Sequence, residues 1–232
     1  MFGRRRRTQP EPSENDGSDI ADISDLADVT DAVEFAGRTS GPYDSTEVPA
    51  GGRNRLDLGS LQLPVPEGAQ LQVEVDKAGL VRAVHLMTGV GQITVTAFAA
   101  PRSTGLWKEV ARELVAALRA DGATVAREQG EWGEEIHAVT AQGVLRFLAV
   151  DGPRWMVRGV AAGTAEQADA RVALLRDVVR ETVVVRGPEP LPVRSPLALQ
   201  LPGPLADQLR QATAGGANNQ GGAGGQTTAE RS

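Results

Sequence analysis

Residues 132–185 constrain the fold more tightly than any other stretch. Alternating or near-continuous apolar sequence over 131–141, 144–150 and 154–162 predicts three consecutive strands. Gln142-Gly143 and Asp151-Gly152-Pro153 supply the turns between them. Strands joined by such short turns run antiparallel. A helix is expected next, over about 165–180, with Ala168, Val172, Leu175 and Val179 as its buried stripe. Thr164-Ala165-Glu166-Gln167 has the spacing of a capping box at its start. The β-branched run 182–185 then reads as a short strand.

The preceding sequence extends this pattern. Leu56, Leu58, Leu61 and Leu63 suggest a first sheet element around Gly59-Ser60. Leu71, Val73 and Val75 alternate with Gln70, Gln72 and Glu74, the mark of a half-buried strand. Asp76-Lys77-Ala78-Gly79 is a hairpin signal leading into 80–88, a strand expected at the sheet centre. Thr88-Gly89-Val90-Gly91 turns into 92–100. The first helix is expected to begin at Pro101-Arg102-Ser103-Thr104. Its stripe is Leu106, Val110, Leu114 and Leu118, with Trp107, Ala111 and Val115 beside it and Gly122 closing it. The expected fold class is α+β, strands with two helices, with disordered N- and C-terminal tails.

Three segments follow. Residues 1–40 form a basic then acidic arm, 41–201 the α+β domain, and 202–232 a Gly/Ala/Asn/Gln-rich tail. The arm starts with four consecutive arginines, and nine Asp or Glu residues then fall between Arg7 and Arg38 with no Lys or Arg among them. Ile20, Ile23, Leu26 and Val29 recur among the carboxylates at a spacing of three. Such a segment is too charged to fold alone and is expected to be a disordered acidic arm; because it is more apolar than a spacer needs, ordering against a partner is the alternative. Residues 191–209, rich in proline and leucine, suit an extended strap over the domain.

The chain has no cysteine, which excludes disulfides, thiolate metal sites and a cysteine nucleophile and fits a reducing compartment. Acidic sequence, not an apolar stretch, follows Met1–Arg7, so a secretory leader is not expected and the location reads as cytoplasmic. The longest uncharged run, 83–101, includes His85, Gln92 and three threonines and reads as sheet, not as a membrane span. The phosphate-loop pattern is absent; Gly89-Val90-Gly91 opens a dinucleotide fingerprint that Thr94 breaks. Gly37-Arg38-Thr39-Ser40-Gly41 misplaces the serine of a nucleophile elbow. His85 and His137 each fall in a strand, without metal-motif spacing.

Glu134, Glu135 and His137 form one compact polar group. Alternation puts Glu135 and His137 on one face, opposite Trp132 and Ile136, and a solvated sheet face is expected there. No catalytic, cofactor-binding or metal-binding residue is assigned. Trp107, Trp132 and Trp155 are expected in the core with their indole N–H groups partnered. Arg146, Arg154 and Arg158 share one hairpin and are expected to form a local basic patch. With Ile20, Ile23 and Leu26 they make a candidate interaction set whose partner is protein, within the chain or on another. Nucleic acid is disfavoured by the net charge of −6.

Arg55-Leu56-Asp57-Leu58-Gly59-Ser60-Leu61, Trp107-Lys108-Glu109-Val110 and Gly152-Pro153-Arg154-Trp155-Met156-Val157-Arg158-Gly159 together resemble an actinobacterial family catalogued as domain of unknown function 3710. Members often begin with a Met-Phe-Gly-basic run, as here. The resemblance spans about 41–201 and carries no catalytic residues. The order of elements is similar to the Mog1/PsbP-like fold, which implies an antiparallel β-sheet meander covered by two helices, and whose domains mostly act as binding or assembly modules. A non-enzymatic cytoplasmic interaction or assembly module is therefore the expected function. Family genes often neighbour that for dUTPase, which implies an accessory role in nucleotide or nucleic-acid metabolism as the alternative. A hydrolase using an unrecognised carboxylate–histidine site is the weaker one.

Overall fold

A computed structural model describes residues 40–49 and 54–207. Ile20, Ile23 and Leu26 lie outside the described residues, as do the arm and most of the tail. The chain opens with β1 (Tyr43–Asp44), β2 (Arg55–Asp57) and β3 (Leu61–Pro64). Then come β4 (Gln70–Val75), β5 (Val81–Thr88) and β6 (Gly91–Ala99), the helix α1 (Leu106–Ala120), and β7 (Thr124–Gly130), β8 (Gly133–Thr140), β9 (Gly143–Gly152) and β10 (Trp155–Gly163). A second helix, α2 (Ala168–Arg180), leads to β11 (Val183–Val184).

Seven strands form the main sheet in the order β4-β5-β6-β10-β9-β8-β7, all pairs antiparallel. It consists of two meanders, β4–β6 and β7–β10, joined along β6 and β10 from Trp155↔Ala99 to Ala162↔Gln92. α1 carries the chain from the middle of the sheet to its far edge. The sheet is antiparallel and meandering as expected, but β10 and not β5 stands at its centre. β5 lies next to the edge, and Leu80 falls outside it, 66% exposed. β7 has no counterpart in the sequence reading. Its residues Thr-Val-Ala-Arg-Glu-Gln-Gly offer no apolar alternation, because an edge strand facing solvent is held by its backbone pairing with β8.

A separate four-stranded sheet has the order β1-β11-β3-β2, with β1 and β11 parallel. Together with α2 it covers one face of the main sheet. Leu61 and Leu63 of β3, Leu175 and Val179 of α2, and Ile93, Val95, Leu148 and Trp155 of the sheet belong to one buried cluster. On the opposite face Leu106, Trp107, Ala111 and Val115 of α1 bury against Ile136, Ala138, Phe147 and Met156. Each fully buried aliphatic side chain contributes about 1.5–3 kcal/mol.

Both helix starts differ from expectation. α1 begins at Leu106, behind Gly105 with φ of 102°, and has no side-chain cap of its own. The Asp151 carboxylate on β9 accepts from the Gly105 and Trp107 amides instead, at 3.1 and 3.2 Å. α2 begins at Ala168 without the capping box. Residues 164–167 leave the helix path, and the Thr164 carbonyl accepts from Arg171 Nη2 at 2.9 Å.

Over 191–202 the strap takes the extended form its sequence suggests, but 203–207 turn helical, and 208–209 lie outside the described residues. β5 pairs with β6 only from His85↔Thr94 to Thr88↔Gly91. Farther along, the free edge of β6 is taken by the strap: Ala99 N donates to Ser195 O (2.8 Å) and Leu197 N to Ala97 O (2.9 Å). Leu197 and Leu199 are buried there. α1 packs against β7, β8 and β9. The β4–β6 half of that face carries Glu74, His85, Gln92 and Thr94.

Candidate functional site

The acid–base group sits on β7, β8 and β9, where Arg176 reaches across from α2, which itself packs over β10 and β6. Register places Glu128 beside Glu135, and His137 between Ala126 and Arg146. Glu135 and His137 do share a face, but it is not a solvated one. Glu135 is 1% exposed, since α2 lies over it. Arg176 of α2 clasps its carboxylate with two bonds, Nε to Oε1 at 3.0 Å and Nη2 to Oε2 at 2.8 Å. Arg146 stands 3.5 Å from the same Oε2 and donates to Glu128 at 2.6 Å. That bond holds the Glu128 carboxyl below its ordinary range, and Glu135 likewise raises the pKa of Arg176. Glu134 points to the other face and pairs with Arg127 at 3.3 Å.

Trp132 also departs from expectation. It lies in the turn before β8, where Gly133 at φ of 118° breaks the alternation, and packs on the same side as α2. Its indole N–H donates to Gly41 O at 3.1 Å, and Arg180 sits over its ring. The other indoles are partnered too. Trp107 Nε1 donates to Glu134 O at 2.7 Å, and Trp155 Nε1 to Asp44 Oδ2 at 2.9 Å. All three rings therefore serve as packing elements with satisfied polar tips.

Beside the ion pairs lies a cleft of about 260 Å³, lined in part by His137, Arg146, Asp169 and Arg171. His137 stands 4.0 Å from Glu128, too far for a hydrogen bond. Arg171, 2% exposed, spends its charge on carbonyls, those of Val90 and Thr164, both at 2.9 Å. Burial pushes its pKa down. A Cβ on Gly91 or Gly163 would run into its side chain. Arg171 thus clamps the β5–β6 turn to the start of α2, a role invisible in sequence because Val90 lies 81 residues away.

The three hairpin arginines do not form a patch. Arg146 faces α2, paired with Glu128. Arg158 projects from the opposite face of the sheet, its guanidinium carbon 4.9 Å from the Phe98 ring centroid and its pKa lowered by burial. The reason is the pleat: Arg146 opposes Ala161 and Arg158 opposes Ala149, positions of opposite parity on β10. Arg154 occupies the β9–β10 turn itself, at φ of 59°.

Arg154 instead meets a residue outside the hairpin. Arg186 donates from Nε to Arg154 O at 3.1 Å and from Nη1 to Glu189 O at 3.0 Å. Its pKa is lowered, first by burial and then by the charge of Arg154. Neither guanidinium pairs with a carboxylate among the described residues. The segment 187–193 leaves from here and is pinned at its far end by Arg194 N donating to Ala99 O at 2.7 Å. It exposes two large apolar side chains, Leu191 at 41% and Val193 at 50%. Two like charges and an apolar pair thus share one end of the sheet.

Among the described residues no group of three His, Cys, Asp or Glu could hold a metal ion. No helix among them is long and apolar enough to cross a membrane. A family model described as "Protein of unknown function (DUF3710)" matches residues 41–208. No curated protein matches the chain. Among solved structures it is similar to the "Solution Structure of Cyanobacterial PsbP (CyanoP) from Synechocystis sp. PCC 6803". The identity is 11% and the TM-score 0.38, over 60% of this chain and 97% of that one. The architecture described above stands on the strand order itself.

Proposed function

We propose, starting from a chain that belongs to the family DUF3710 of proteins of unknown function, that it acts as a protein-binding or assembly module. The carrying observation is the sheet end where Arg154 and Arg186, without carboxylate partners, stand at the root of the segment 187–193, which exposes Glu189, Leu191 and Val193. Arginine beside apolar surface is the composition of protein interfaces. Two adjacent guanidiniums repel each other, and an acidic partner relieves that repulsion. The acid–base group supports the same reading from the other side. Glu135 is committed to Arg176, which fastens α2 to the sheet, and Glu128 to Arg146, which ties β7 to β9. Arg146 and Arg158 do not reach the proposed surface and are left to packing roles. A cysteine-free chain suits a reducing compartment, and the cytoplasm is the proposed location.

The unpaired arginines also favour a second reading, contact with nucleic-acid phosphates. Leu191 and Val193 contribute nothing to a phosphate backbone, and the net charge of −6 opposes it. One experiment separates the two. A photoreactive side chain at Val193 of the full-length chain, in its native cells, should give a discrete protein adduct. Once that protein is identified and purified, its binding should weaken about tenfold or more in the Arg154→Glu/Arg186→Glu variant. Adducts to nucleic acid, or a protein adduct indifferent to charge reversal, would reject the reading.

A further inference from the structure

The sheet-end surface has a candidate occupant within the chain. Residues 11–37 carry nine carboxylates without a Lys or Arg, and among them stand Ile20, Ile23, Leu26 and Val29. Their chemistry mirrors the surface: acid against Arg154 and Arg186, aliphatic against Leu191 and Val193. We propose that this acidic arm folds back in cis onto that surface, with Ile20, Ile23 and Leu26 set against Leu191 and Val193. The proposal rests on reading the surface as a protein-binding site and names the segment that covers it when the partner protein is absent.

The root of the arm is on the correct side of the molecule. β1 runs parallel to β11, with Tyr43 opposite Val183 and Asp44 opposite Val184. Ser45 N continues the pairing to Val184 O at 2.9 Å. Continued backward, that register puts Gly41 level with Glu181, and Gly41 accordingly lies against the Arg180 backbone. Arg186 is five positions farther on, roughly 16 Å at a strand rise of about 3.3 Å. Residues 30–40 supply the tether. Eleven residues reach at most about 36 Å, and as a flexible coil they average roughly 18 Å.

A tether whose mean length matches the span gives the highest effective concentration, in the millimolar range. Contacts too weak to hold two separate molecules therefore suffice. Exposed ion pairs contribute little each, so the aliphatic residues must supply much of the docking. Salt should weaken it only in part.

The natural chain has no cysteine, so Ser18→Cys offers a unique site for a nitroxide label on the full-length protein. Docking predicts paramagnetic broadening of the Leu191, Val193 and Arg154 amides that does not change on dilution. Arg154→Glu/Arg186→Glu should lower the docked population about fivefold or more. Ile23→Ser/Leu26→Ser, outside the described residues, should do the same and cannot be dismissed as unfolding of the domain. Absence of broadening, or broadening unmoved by either variant, overturns the proposal. Broadening that disappears on dilution also overturns it, since the occupant is then a second copy. If the arm does not dock but the Val193 cross-link persists and depends on charge, only this inference falls. If both fail, the interaction reading falls with it.

Discussion

Glu135 shows how a surface-type residue becomes a structural one. Alternation along β8 placed it on the same face as His137, but nothing local could reveal that α2 would cover it. Its carboxylate is buried and tolerates burial because Arg176 supplies two charge-assisted bonds and Arg146 a third contact. Removing the charge strands Arg176, whereas Arg146 keeps Glu128. Glu135→Gln is therefore expected to cost about 2–4 kcal/mol, toward the lower end because Arg176 keeps some access to water. Urea denaturation would measure it, and adding Arg176→Gln should recover part of the loss. A cost below about 0.5 kcal/mol would show that the pair is dispensable, as exposed ion pairs commonly are. The arginines follow the same logic. Their residue type was legible, but the Glu128–Arg146 and Arg154–Arg186 juxtapositions were not, since each joins distant segments.

At the scale of elements, the body of each helix was readable and its start was not. The four-residue repeat of Leu106, Val110, Leu114 and Leu118 identifies α1 because its own side chains must bury one face. Its N-terminal amides are satisfied by Asp151, 44 residues downstream on β9. Asp151→Ala should destabilise the protein by about 1–2 kcal/mol, the usual worth of a lost cap. It should also accelerate amide hydrogen exchange at Trp107 more than at the far end of α1. Uniform acceleration would mean that Asp151 supports the whole fold instead of the helix start. Likewise Thr164-Ala165-Glu166-Gln167 has the capping pattern without the cap, because Arg171 takes the Thr164 carbonyl into a different turn.

For the whole molecule, the main question is whether the two buried clusters act as one. They occupy opposite faces of the same seven-stranded sheet, and β10 contributes Trp155 to one and Met156 to the other. Shared strands couple the faces, so the full-length chain should lose both in a single transition. Trp107 reports on the α1 side and Trp155 on the α2 side. In Trp107→Phe and in Trp155→Phe, the fluorescence and far-ultraviolet dichroism midpoints should coincide within each variant. Separate midpoints in either would divide the molecule into two cooperative units. The strap belongs to this scale as well, since its backbone closes the length of β6 that β5 leaves open.

The sequence by itself determined the antiparallel hairpins from β8 to β10, the two amphipathic helices and the core roles of the tryptophans. Those features come from side-chain periodicity and from turns only a few residues long. Strand order, the second sheet, the edge strand β7 and the site itself were decided by tertiary structure. Backbone pairing between β6 and β10 leaves no periodic trace, because main-chain donors and acceptors are the same for every residue. The burial of Glu135, the division of Arg146 and Arg158 between opposite faces, and the approach of Arg186 to Arg154 depend on which segments pack together. That choice is made by the shared burial of apolar surface across the whole sheet, a property of the assembled layers and not of any single stretch.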